Sequence, residues 1–93
     1  MTIRLLIHSR SKPGMGQAYA QAFLPIAKET QAEPGCEQYE LYRSTQNENE
    51  FTLMERWKDQ ASLDAHMVVM KSRDMAKLGA FRDGEVTRER YES

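Results

Sequence analysis

The sequence predicts an α+β domain of ferredoxin-like β-α-β-β-α-β order, with four strands in an antiparallel sheet and both helices on one face. Three observations carry this prediction. Apolar residues alternate with period two in three separate stretches, two further stretches repeat at helical spacing, and 93 residues leave room for a single domain over positions 1–93. The sheet face away from the helices carries half-apolar residues (Leu6, His8, Tyr42, Met54 and Arg56) that suit contact with another sheet better than water. The expectation is a homodimer that closes into a dimeric α/β barrel.

Each element follows from its own pattern. Ile3, Leu5 and Ile7 alternate with Arg4, Leu6 and His8, giving a first strand over Thr2 to Arg10. The turn residues of Ser11 to Gly16 break it, and Met15, Tyr19, Ala22, Phe23 and Ile26 then mark one face of a helix. Pro25 lies inside that pattern, so a kink is expected near Gln21 to Leu24, and Pro34-Gly35 ends the helix. Tyr39, Leu41 and Arg43 alternate with Glu40, Tyr42 and Ser44, and the alternation resumes from Phe51 to Trp57 beyond a polar connection, which makes a hairpin. Asp59 is placed to cap a second helix from Gln60 to about Met70, with Leu63, His66, Met67 and Met70 on one face. A further helical piece with Met75, Leu78 and Phe81 follows a break near Ser72, and Val86 to Tyr91 forms a last, unusually charged strand after Asp83-Gly84.

Composition narrows the function classes. Thirteen Lys and Arg against fourteen Asp and Glu give a net charge of -1, spread along the chain, which speaks against a nucleic-acid or anionic-membrane surface. Mean hydropathy is -0.74, no stretch approaches the length of a membrane span, and the first residues lack a signal-peptide pattern. A cytoplasmic protein is expected. One cysteine, Cys36, and two histidines provide neither a disulfide framework nor a zinc ligand set. The glycines form no dinucleotide or phosphate-loop motif, so neither metal nor cofactor is expected.

One constellation stands above composition. Alternation places Glu55 and Trp57 on one face of the third strand, and helical phase places His66 on the inner face of the helix that follows. Between sheet and helix an imidazole could take a proton near neutral pH, a carboxylate could orient it, and Trp57 could offer a flat wall to an aromatic ligand. The same spacing also describes a packed core histidine, the commoner use of such a residue. His8 reads as a structural hydrogen-bonding residue. Tyr39 and Tyr42 lie on opposite faces of their strand, so only one of them can line a given cavity. Cys36 has no visible activating base.

The run Glu33-Pro34-Gly35-Cys36-Glu37-Gln38-Tyr39, followed by Glu55-Arg56-Trp57 and Leu63-Asp64-Ala65-His66, resembles the antibiotic biosynthesis monooxygenase family over nearly the whole chain. The resemblance implies a dimeric α+β barrel with a cavity in each subunit. It also implies oxidation of phenols, quinols or anthrones by O2 without metal, flavin or haem, closest to the quinol-oxidising members. Haem-degrading relatives need an Asn on the first strand and a Trp and a His on the second helix; here that strand has no Asn, and His66 and Ala76 fall where the Trp and His would be.

The resulting expectation is a cofactor-independent monooxygenase in which His66, oriented by Glu55, deprotonates a small aromatic substrate held by Trp57, Phe51 and Tyr39. An alternative is a binding protein that holds a small aromatic metabolite in the same cavity without turning it over. An isomerase of a phosphorylated sugar-like compound fits less well, because Arg4, Arg10, Arg43 and Arg56 are scattered.

Overall fold

A computed structural model describes residues 1–93. The elements run β1 (Ile3–Arg10), α1 (Gly16–Gln31), β2 (Cys36–Arg43), β3 (Glu50–Trp57), α2 (Gln60–Ser72), α3 (Ala76–Phe81) and β4 (Thr87–Glu92). Sheet order is β2-β3-β1-β4 with every neighbouring pair antiparallel, as the ferredoxin-like order requires. The barrel is the part of the expectation that fails. The sheet is open, with β2 and β4 at opposite edges, and four strands fall well short of the roughly eight that give closure.

The core lies between the sheet and the helices. Along β3 every second residue is buried: Phe51, Leu53, Glu55 and Trp57. Register aligns Ile3 with Trp57, Leu5 and Tyr39 with Glu55, and Leu41 with Leu53. Tyr19, Phe23 and Ala27 of α1, Leu63 of α2 and Leu78 of α3 close the layer. Helix α1 runs through Pro25 to Gln31 as one element, with the proline on its exposed side. No helix is long and apolar enough to cross a membrane.

Two local features set the geometry of the site. Asp59 caps α2 by accepting from the backbone N–H of Ser62 at 2.8 Å and from its hydroxyl at 2.7 Å, and these bonds hold its carboxyl below the usual range. They fix the helical phase that turns Leu63 and His66 inward. Gly35, at φ +81°, makes the turn from α1 into β2, and its carbonyl accepts from Lys58 N–H at 2.8 Å. A Cβ there would collide with the side chain of Ser62, so this turn lies directly against the first turn of α2. Gly35→Ala is therefore expected to cost about 2 kcal/mol or more, the left-handed backbone supplying about 1–2 of it. Ser62→Gly in the same background should recover the steric part and leave the backbone part, as read by urea unfolding of the three proteins.

Candidate active site

His66 is 3% exposed and sits between two aromatic rings, with centroids 4.6 Å away for Trp57 and 5.5 Å away for Tyr39. Its Nδ1 is 3.0 Å from Oε1 of Glu33, and its Nε2 is 4.0 Å from Oε1 of Glu55. A carboxylate can only accept, so Nδ1 donates to Glu33 and a neutral ring keeps its lone pair on Nε2. That lone pair points to the Glu55 side.

Sequence spacing pairs His66 with Glu55, and the structure retains that contact at ion-pair distance. The closer partner is Glu33, which the spacing does not single out because 33 residues separate it from His66. Glu33 stands just ahead of the Pro34-Gly35 turn, and the seating of that turn on α2 brings its carboxylate to the imidazole. Arg73, just after α2, holds the other oxygen of Glu33 through Nη2 at 2.8 Å. It also donates to Thr30 Oγ1 at 2.6 Å and pairs with Glu29 at 3.4 Å. Glu33 thus bridges the Arg73 guanidinium and the His66 ring.

Glu55 is 3% exposed, and its Oε1 accepts from Trp57 Nε1 at 2.9 Å. Burial raises its pKa above the usual carboxyl value, while the Trp57 hydrogen bond and then His66 pull it back. Burial likewise pushes the Tyr39 phenol well above its ordinary range, with the Glu55 carboxylate reinforcing the shift. Cys36 is raised by burial and by Glu33, which opposes formation of a thiolate.

A cavity of about 180 Å³ opens between sheet and helices. Tyr39, Glu55 and His66 form its polar end, Leu5, Ile7 and Phe23 are among its apolar walls, and Met67, Met70 and Met75 line it from the α2–α3 side. Trp57 is fully buried behind His66 and does not line the cavity, and neither does Phe51, which is 3% exposed beneath Tyr19. The indole ring meets the cavity only through its contacts with His66 and Glu55. Chemically, the arrangement can accept a proton at Nε2 inside an apolar hollow. No group of three His, Cys, Asp or Glu side chains is placed to hold a metal ion.

On the opposite sheet face, a polar hollow of about 700 Å³ contains His8. Its Nδ1 lies 2.9 Å from Thr52 Oγ1 and its Nε2 2.6 Å from Glu89 Oε2. The Tyr91 hydroxyl and His8 together hold Glu89 below the usual carboxyl range. This agrees with a hydrogen-bonding role for His8, separate from His66.

Fold and site together define an α+β protein with a buried histidine between two carboxylates at the wall of a small cavity. Residues 2–77 match the family described as antibiotic biosynthesis monooxygenase. YcnE of Bacillus subtilis (strain 168) is 30% identical over 64 residues, which make up 69% of this chain and 67% of YcnE. A conserved protein from Methanosarcina mazei Go1 superposes with a TM-score of 0.82 at 29% identity, covering 98% of this chain and 91% of that one. SnoaB from Streptomyces nogalater, a cofactor-independent oxygenase, shares the fold at a TM-score of 0.80 and 12% identity, over 99% of this chain and 92% of its own. The chain belongs to the antibiotic biosynthesis monooxygenase family, and its enzymology is that of an oxidoreductase.

Proposed function

We propose that the protein is a cofactor-independent monooxygenase that oxidises a small phenol or quinol with O2, using His66 Nε2 as the base. The observation that carries this reading is the bond from His66 Nδ1 to Glu33, which leaves Nε2 of this cavity-lining ring with its lone pair to accept a proton. Deprotonation makes the ring electron-rich enough to pass one electron to O2. The radical and superoxide combine at a ring carbon, and the peroxide formed loses water to give the carbonyl. For a hydroquinone the balance is hydroquinone plus O2 to hydroxyquinone plus water, so the substrate supplies all the electrons and no external reductant enters. The apolar walls protect the radical pair from bulk water. Within this proposal Glu33 and Arg73 are positioning residues, Glu55 receives the charge developing on His66, and Tyr39 orients the substrate hydroxyl.

Relatives lend support: SnoaB carries the description of a cofactor-independent oxygenase on the same fold. The proposal includes a homodimer formed through the open sheet face, where Tyr42 and Tyr91 are 45% and 52% exposed, and a reducing, cytoplasmic setting that suits the single thiol of Cys36. The test is O2 uptake by metal-free protein against quinols, naphthols and other phenols, with autoxidation subtracted. Uptake matched by one equivalent of quinone product is expected for at least one class. A folded protein that binds such compounds and consumes no O2 above background would refute the oxidation and leave a binding protein.

A further inference from the structure

The cavity that holds His66 is apolar inside and cationic at its mouth. An apolar cavity of about 150 Å³ accepts a benzene molecule, so the roughly 180 Å³ here has room for one substituted ring. The polar groups at its inner end are those of Glu55, His66 and Tyr39. At the outer end stand Arg82, which follows α3, and Arg88, on the helix-facing side of β4 opposite Ile7 in register. Most other arginines are engaged: Arg10, Arg56, Arg73 and Arg90 are ion-paired, and Arg43 donates to Glu48 and Gln17. The guanidinium groups of Arg82 and Arg88 have no carboxylate partner, although both line the cavity.

Two unpaired guanidinium groups beside a one-ring apolar hollow suit a ligand that is aromatic at one end and anionic at the other, because planar guanidinium matches carboxylate in geometry and charge. We propose that the substrate is a monocyclic phenol or hydroquinone bearing a carboxylate, with its ring in the cavity, its hydroxyl at His66 Nε2 and its carboxylate held at the mouth by Arg82 and Arg88. The proposal rests on the monooxygenase reading and names the substrate class of the same site.

Both arginines are exposed, so replacing them leaves the core intact. The probes are the hydroquinone carboxylate gentisate, its methyl ester and unsubstituted hydroquinone, with binding measured under anaerobic conditions. Gentisate is expected to bind about tenfold or more tighter than the ester, the order of one charge-assisted contact. The preference should vanish in the Arg82→Gln/Arg88→Gln double variant, persist in part in Arg88→Lys, and shrink as salt rises. Equal binding of acid and ester, a preference unmoved by the double variant, or acetate binding as tightly as gentisate would each overturn it. Aerobic assays of the same compounds separate the two readings. Arginine-dependent binding without His66-dependent O2 uptake would remove the oxidation and keep the anion site. His66-dependent turnover of gentisate, unchanged in the double variant, would do the reverse.

Discussion

His66→Ala is expected to lower kcat/KM at least tenfold, a loss of more than about 1.4 kcal/mol in transition-state stabilisation, and a positioned general base commonly contributes 10²–10⁴-fold. The imidazole is the only group at the inner end of the cavity with a lone pair fixed by a hydrogen bond on its other nitrogen. Without it, the imidazole nitrogen proposed to take the phenol's proton is gone from the cavity. The comparison is single-turnover O2 uptake by wild type and variant, with circular dichroism confirming equal folding. Glu33→Gln keeps an acceptor for Nδ1 and removes the negative charge beside a ring that is proposed to gain a proton. Its kcat should therefore fall between the two while KM stays near the wild-type value, whereas a purely structural role for Glu33 would leave kcat unchanged in folded protein. Undiminished turnover in His66→Ala would remove His66 from the chemistry.

Trp57→Phe is expected to destabilise the protein by about 2 kcal/mol at neutral pH, from loss of a buried hydrogen bond to a carboxylate, or a Tm lower by roughly 10 °C in a domain of this size. The ring still fills most of its site, so the main loss is the Nε1 bond to Glu55. That bond is the largest influence holding the Glu55 carboxyl down against burial. Its removal raises the folded-state pKa further above the unfolded value. A carboxyl raised in this way is stabilising to the fold below its unfolded pKa, and that stability disappears as pH rises through the folded pKa. The deficit of Trp57→Phe should thus be smallest near pH 4 and largest near pH 7–8, about the window spanning an ordinary carboxyl and a buried one. Urea unfolding at several pH values measures it. A deficit independent of pH would mean that the lost packing, and not the carboxyl, accounts for the effect.

Much of this site could be read from the order of residues, and what could not has a common cause. Alternation in β3 put Glu55 and Trp57 on the buried face, and the Asp59 cap with Leu63 fixed the phase that turns His66 toward them. All of these lie within a dozen residues, where period and capping are decisive. Glu33 escaped because its contact depends on how the Gly35 turn seats on α2, a long-range approach that leaves no periodic mark. One signal did exist: a residue ahead of β2 must fall near the helix that covers Glu55, since Tyr39 neighbours Glu55 in register. Arg82 and Arg88 are a second case. Val86, Arg88 and Arg90 alternate, so their common face is legible, but alternation does not say which neighbour that face meets; the pairing of β4 with β1 decides it. The expected barrel failed for a related reason. Half-apolar residues on the open face say that the face suits contact, and they carry no information about whether strand edges meet.

All six residues of β4 are exposed, and β1 is its single neighbour in the sheet. Backbone hydrogen bonds to β1 hold the strand in place with little buried apolar area behind them. Such a segment occupies the low end of the range of local opening free energies in a folded protein. Arg88 and, just before the strand, Val86 are part of the cavity wall, so one side of the chamber belongs to the element that detaches at least cost. Fraying of this edge strand opens that wall at a free energy below that of global unfolding.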